Sequence, residues 1–224
     1  NDPTGYGRIV KSEDRFIKIV EEKDSDEIQK RINEINAGTY IIDGKLLKQE
    51  LGNLSTDNSQ NEYYLTDVLE NIAKNNNVAT LAVDSESILG VNSRIQLAQA
   101  ETVMRKRINE AHMRNGVTLI NPDCTYIDKS VIIEKDCIIY PNCHIKGNTL
   151  IRSNTEIREN AVIENSVIGE CVSIKSSTII DSQIGNGTTV GPYAYLRPGS
   201  RIGNNCKIGD FVEFKNASFG DGSK

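Results

Sequence analysis

At 224 residues the chain is long enough to bury a sizeable core in one large or two modest domains. Its 31 acidic residues against 26 basic ones leave a net charge of −5, which argues against nucleic acid or an anionic membrane as the main partner. No apolar run approaches a membrane span, no charged-then-apolar leader opens the chain, and five cysteines without paired spacing read as reduced thiols in a cytoplasmic protein.

Residues 7–11 and 15–20 are short β-prone runs separated by Ser12-Glu13-Asp14, a hairpin pattern that brings Gly7 close to Glu21 at its open end. Residues 24–34 hold Ile28 and Ile32 four apart amid charge and predict a short amphipathic helix or a loop. A strand is expected over 39–42, stopped by Asp43-Gly44, followed by helical spacing of Leu46, Leu47, Leu51 and Leu54. The stripe of Leu65, Val68, Leu69, Ile72 and Ala73 predicts a surface helix ended by Asn75-Asn76-Asn77, and 78–83 predict another strand. Mixed strands and helices make residues 1–94 part of an α/β unit.

A helix of some twenty residues is predicted between Ser93 and Asn115-Gly116. It would span roughly 30 Å, so residues 95–115 are expected to act as a stiff linker, with Arg105, Lys106 and Arg107 on a solvated face. From residue 116 the pattern changes. Isoleucine recurs every six residues from Ile127 to Ile163, and the beat returns as Val190, Leu196, Ile202, Ile208 and Phe214. Two positions earlier lie small or β-branched residues, among them Cys137, Cys143 and Cys206, where a thiol behaves as a small hydrophobe. A period of six suits neither a helix nor a sandwich strand, but it suits a chain wound as a triangular prism with one aliphatic side chain inside each flat face. The steps through Ile168, Ile174, Ile179 and Ile184 include intervals of five. Glycines after the aliphatic position, at 185, 191, 203 and 209, are expected to supply positive φ at the corners. Five to six coils would stand roughly 25–30 Å high. Because the chain opens without methionine and stops while the repeat is still running, truncation at both ends is expected.

The segments Asp2-Pro3-Thr4-Gly5-Tyr6-Gly7-Arg8-Ile9, Ile19-Val20-Glu21, Glu34-Ile35-Asn36-Ala37-Gly38, Glu62-Tyr63-Tyr64-Leu65-Thr66-Asp67 and Gly90-Val91-Asn92-Ser93-Arg94 occur in this order. A prism containing Tyr195-Leu196-Arg197-Pro198-Gly199 and Gly209-Asp210-Phe211-Val212-Glu213-Phe214-Lys215 follows them. The whole chain thereby resembles the bacterial bifunctional enzymes that combine glucosamine-1-phosphate acetyltransferase and N-acetylglucosamine-1-phosphate uridylyltransferase activities. The resemblance implies a nucleotidyltransferase-like α/β part over 1–94, the linker helix over 95–115 and a left-handed parallel β-helix over 116–224. The hand comes from the resemblance, since periodicity cannot show it. It further implies acetyl transfer from acetyl-CoA to glucosamine 1-phosphate, then uridylyl transfer from UTP with Mg²⁺, in a homotrimer joined through the β-helices.

Residue by residue, the resemblance implies that Gly7, Glu21, Asn36 and Asn92 bind UDP-N-acetylglucosamine. Gly7 would admit the ligand, Glu21 would accept from sugar hydroxyls, and Asn36 would both donate and accept. Asn92 would offer an amide oxygen to magnesium; read by itself it is a turn or helix-cap residue. The segment 62–67 is read only as a helix start. Arg197 and Lys215 match the two cations that hold the acetyl acceptor's phosphate. Lying eighteen residues apart, one full coil, they should stand one above the other, where an anion would relieve their repulsion. No catalytic residue is matched: the family's glycine-rich loop and magnesium-binding aspartate would precede residue 1, and its catalytic histidine would follow Lys224. His112 and His144 do not match that base, and the chain alone is expected to catalyse neither reaction. The rival reading is a sugar-phosphate nucleotidyltransferase whose β-helix serves only oligomerisation. Two histidines exclude a three-histidine zinc carbonic anhydrase on a prism, and mixed outer charges disfavour an ice-binding ladder.

Overall fold

The computed structural model describes residues 2–224, which divide into two units, the first ending at residue 90 and the second spanning 91–224. In the first unit, β1 (Arg8–Ser12) and β2 (Arg15–Val20) form the expected antiparallel hairpin, with Arg8 opposite Val20. Its turn places Glu13 and Asp14 at φ 48° and 62°, the left-handed pair that matches the twist of a two-residue hairpin. α1 (Gly44–Leu51) starts at Asp43, whose carboxylate accepts from the backbone N–H groups of Lys45 and Leu46. α2 (Thr66–Ala73) buries Val68, Leu69, Ile72 and Ala73 of the stripe read from the sequence, while Leu65, just before the helix, is exposed. Phe16, Ile19, Leu69 and Ala73 make the small core, with Ile9, Tyr40, Ile42 and Val78 against it.

Two strand expectations fail in this unit, while residues 24–34 take the loop alternative, with 3₁₀ turns at Glu22–Asp24 and Gln29–Arg31 and no α-helix. Asp26 captures the N–H groups of Ile28 and Gln29 with its own carboxylate, and Ile28 stays exposed, so no buried face supports a longer helix. Neither 39–42 nor 78–83 is a strand. A strand needs a neighbour to complete its hydrogen bonds, and among the described residues neither segment has one; Ile41 and Leu81 point into solvent.

In the second unit, α3 (Arg94–Arg114) begins at Ser93, whose Oγ accepts from Gln96 N–H, and ends at Asn115 and Gly116, the latter at φ 91°. The helix belongs with the coils rather than standing as a free arm: buried Asn109 donates through Nδ2 to the carbonyls of Pro122 and Thr125 at 2.7 and 2.9 Å. Asn109→Ala leaves Thr125 O without this donor and Pro122 O with only the 3.5 Å bond from Thr125 N–H, so it is expected to cost about 1–3 kcal/mol. Urea denaturation checks this, and a loss under a few tenths would show that the pair does not anchor the helix.

The coils build three parallel six-stranded sheets, one on each face of the prism, so each of six coils gives one strand to every face. Aliphatic residues align inside in register, as in the column Ile127, Ile145, Ile163, Ile179, Leu196 and Phe214. From Ile139 to Ile179 the inward isoleucines are wholly buried. The five-residue steps do not disturb this column, because left-handed corners at Asn165, Ser176 and Asp181 absorb them. The glycines serve a different purpose from the expected one. Among the four, only Gly191 has positive φ; at Gly185 a Cβ would lie 2.6 Å from the backbone of Gly203, and at Gly203 it would lie 2.7 Å from the backbone N of Asp221. Gly185 and Gly203 let successive coils approach, Gly209 has open space around it, and asparagines and aspartates take more of the left-handed corners than glycines do.

Cys137, Cys143 and Cys206 line the interior as expected, and all five cysteines are free. Burial pushes the Cys143 thiol up from 9.0 to about 11. Since the folded value is raised, the contribution is complete below pH 9.0 and is lost as pH climbs through about 11. Stability is therefore expected to fall across that window, with Cys143→Ala flattening the fall. At pH 8, exposed Cys171 should alkylate while Cys143 does not, and equal labelling would contradict the placement.

Candidate functional site

Three of the four residues expected to hold the sugar nucleotide come together in the first unit. The backbone of 34–36 runs beside β1: Ile9 N–H donates to Glu34 O at 2.9 Å and Asn36 N–H donates to Gly7 O at 2.8 Å. The hairpin brings Glu21 to the same place. A Cβ on Gly7 would meet Ile19 Cγ2 at 3.0 Å, Glu21 Oε2 at 3.2 Å and Asn36 Cβ at 3.5 Å, so only glycine leaves those side chains where they are. Gly7 is therefore needed for the space around Glu21.

Neighbouring groups set what Glu21 and Asn36 can offer. Thr66 Oγ1 donates to Glu21 Oε1 at 3.3 Å, leaving Oε2 available to a ligand hydroxyl. Asn36 Oδ1 accepts twice, from Tyr40 OH at 2.8 Å and Gly38 N–H at 3.0 Å. With both lone pairs engaged, Asn36 has its Nδ2 donors free rather than the donor-and-acceptor pair expected from the sequence. Burial, reinforced by the charge of Glu21, raises the Tyr40 hydroxyl above its ordinary value, so it remains protonated as the donor.

The sequence reading missed Tyr40, Thr66 and Arg8. Thr66 lay in a segment read only as a helix start, yet it is buried against Glu21. Arg8 is 1% exposed, pairs with Glu22 at 2.7 Å and donates to Tyr6 O, while Glu22 also accepts from Gly5 N–H. That clamp fixes the loop on either side of Gly7. Only position in the matched motif pointed to Arg8, because an arginine on a hairpin strand reads as solvated.

Asn92 belongs to the second unit, exposed beside the start of α3. Its backbone N–H donates to Gln96 Oε1 at 2.7 Å, and its side-chain amide has no partner among the described residues. One amide oxygen is a magnesium ligand but not a magnesium site. Among the described residues no three His, Cys, Asp or Glu side chains are grouped to hold a metal. The residues present do not by themselves fit the ion.

Arg197 and Lys215 follow Leu196 and Phe214, which are paired in the ladder, so the two cations stand in one column on one face. They are not an unrelieved pair. Glu213, on the other side of Phe214, reaches Arg197 Nη1 at 2.9 Å, and Arg197 lies 6.0 Å over the Tyr195 ring. Lys215 is exposed and has no ion pair among the described residues. Glu213 was legible in principle, since the register places it across from Tyr195. His144 is three strands away on that face, and His112 lies in the last turn of α3, where burial lowers its pKa.

Against known proteins, residues 130–165 and 181–216 match the family described as bacterial transferase hexapeptide (six repeats). The chain is 52% identical over 225 residues to the bifunctional protein GlmU of Clostridium botulinum (strain 657 / Type Ba4), covering 100% of this chain and 49% of that protein. It is 54% identical over 224 residues to the protein of the same name from Clostridium perfringens (strain SM101 / Type A), with the same coverage. Among solved structures, the acetyltransferase domain of PglB from Neisseria gonorrhoeae FA1090 in complex with acetyl coenzyme A matches at a TM-score of 0.45 and 14% identity, covering 55% of this chain and 64% of that one. The chain thus spans about half the length of the curated relatives it matches.

Proposed function

We propose that this chain, a homologue of the bifunctional GlmU proteins along its whole length, carries part of two transferase sites in UDP-N-acetylglucosamine synthesis. The cluster of Gly7, Glu21 and Asn36 holds the sugar for uridylyl transfer from UTP. The column of Arg197 and Lys215 holds the phosphate of glucosamine 1-phosphate for acetyl transfer from acetyl-CoA. The observation that carries the reading is the convergence of Gly7, Glu21 and Asn36 in a chain half identical to those relatives.

In the first site Glu21 Oε2 accepts from a sugar hydroxyl while Thr66 steadies the other oxygen. Asn36 donates through Nδ2, and Gly7 leaves the approach open. In the second site the two cations orient the acceptor so that its amine faces the acetyl donor. The assembly proposed is a cytoplasmic homotrimer; among the described residues no helix is long and apolar enough to cross a membrane.

Calorimetry with N-acetylglucosamine 1-phosphate tests the first site. Glu21→Gln replaces a charge-assisted hydrogen bond by a neutral one, so binding should weaken about tenfold. Unchanged affinity would remove Glu21 from the site. The chain alone is proposed to hold ligands without turning them over, and uridylyl transfer by it would overturn that part.

A further inference from the structure

We infer that the cleft between α3 and the first two coils is a second oxyanion site, one that takes a phosphate or carboxylate on a compact apolar or planar body. The cavity measures about 840 Å³, within the range of small-molecule sites, and it belongs wholly to the second unit. Its apolar floor includes Met104, Ile108 and Ile127. Its wall is an ordered pile: Arg105 lies 5.0 Å from the centre of the Tyr126 ring, and Tyr126 stacks on His144 at 4.6 Å with only 3° between planes. Arg105, read from the sequence as solvated, has a side chain only 17% exposed. Asn109 pins the helix to the coils beside this wall, so the cleft is largely preformed.

The charges point to an anion. Both carboxylates lining the cleft are engaged: Glu101 pairs with Arg105 at 3.1 Å, and Asp128 accepts from Gly147 N–H at 2.9 Å. The ammonium groups of Lys129 and Lys146 have no ion pair among the described residues. Lys146 follows Ile145 in the ladder between the positions of Asp128 and Glu164, yet neither carboxylate closes to ion-pair distance. Two cations with free donors, an unengaged Tyr126 hydroxyl and the His144 ring over an apolar floor suit an oxyanion carried on such a body.

The same face repeats this chemistry. His144-Ile145-Lys146 and Tyr195-Leu196-Arg197 each place an aromatic ring before the inward aliphatic residue and a cation after it. Their strands lie three apart, about 14 Å, and the two between them carry no cation there, only Glu164 and Ile180. This parallel rests on the proposed role of Arg197; the cleft's own donors do not.

Titrating phenyl phosphate, and benzylamine as its cationic counterpart, into the ¹⁵N-labelled chain tests the inference. Phenyl phosphate should give saturable shifts at the amides of residues 126–130 and 144–147, and benzylamine should not. Lys146→Met and Lys129→Met should each weaken binding about tenfold, the scale of one lost charge-assisted bond, with the thermal midpoint unchanged. Equal response to both probes, or unaltered affinity in both variants, overturns the inference. Shifts confined to residues 195–197 and 213–215 overturn it while supporting the acceptor site. Loss of binding as the chain self-associates would show the cleft covered by a second copy, and would also overturn it.

Discussion

Replacing Ile163 by alanine is expected to lower the unfolding free energy by about 2–5 kcal/mol. Ile163 is wholly buried, with Ile145 below it and Ile179 above in the same inward column. Truncation removes its own transfer free energy and leaves a cavity that two coils of fixed backbone register cannot collapse to fill. A solenoid is held by contacts between nearest neighbours, so a defect at mid-height loosens both interfaces of one coil. The denaturant transition should therefore broaden as well as shift. Phe214→Leu in the last complete rung serves as the contrast, because that position is only half-buried and has a coil on one side. A loss below about 1 kcal/mol at Ile163 would mean that the interior packs less tightly than the ladder requires.

That column was readable in advance because each inward side chain reports one flat face directly, and six residues return the chain to the next. Where a hydrophobic pattern needs something beyond itself, it misled. Residues 39–42 and 78–83 have strand-like composition, but pairing belongs to the neighbour, and Ile41 and Leu81 find none among the described residues. Ile28 and Ile32 have helical spacing, yet the carboxylate of Asp26 takes the first amide donors before a helix can propagate. Gly185 and Gly203 were recognisable as special, though for the wrong reason: coil-to-coil clearance is invisible until the register is known. The hairpin brought Gly7 to Glu21 on paper as it does in space, whereas Thr66 and Tyr40 reach that cluster only through the packing of α2 and the loop before α1. Arg105 illustrates the same limit. Its place in a run of three basic residues suggested solvent, while Tyr126, twenty-one residues later, covers it.

At the other site, Arg197→Ala is expected to weaken binding of glucosamine 1-phosphate about 100-fold, and Lys215→Ala about tenfold. The asymmetry follows from Glu213. In the unliganded chain its carboxylate lies 2.9 Å from Arg197, so the guanidinium offsets a charge that otherwise faces the phosphate. Alanine at 197 removes a donor and also releases that carboxylate to repel the ligand; alanine at 215 removes a donor alone, since Lys215 has no ion pair among the described residues. The Arg197–Glu213 pair is itself exposed and worth only about 0–1 kcal/mol, so Glu213→Gln should not unfold the coil and should tighten phosphate binding a few-fold. The double variant Arg197→Ala/Glu213→Gln should then recover a substantial part of the loss. Calorimetry at two salt concentrations separates the terms: the two single alanine variants should lose salt dependence relative to the unmodified chain, while Glu213→Gln should retain it. If the double variant binds no better than Arg197→Ala, Glu213 does not compete for the guanidinium. If both alanine variants bind like the unmodified chain, the column holds no phosphate, and the rival view of the prism as an oligomerisation scaffold gains its first direct support.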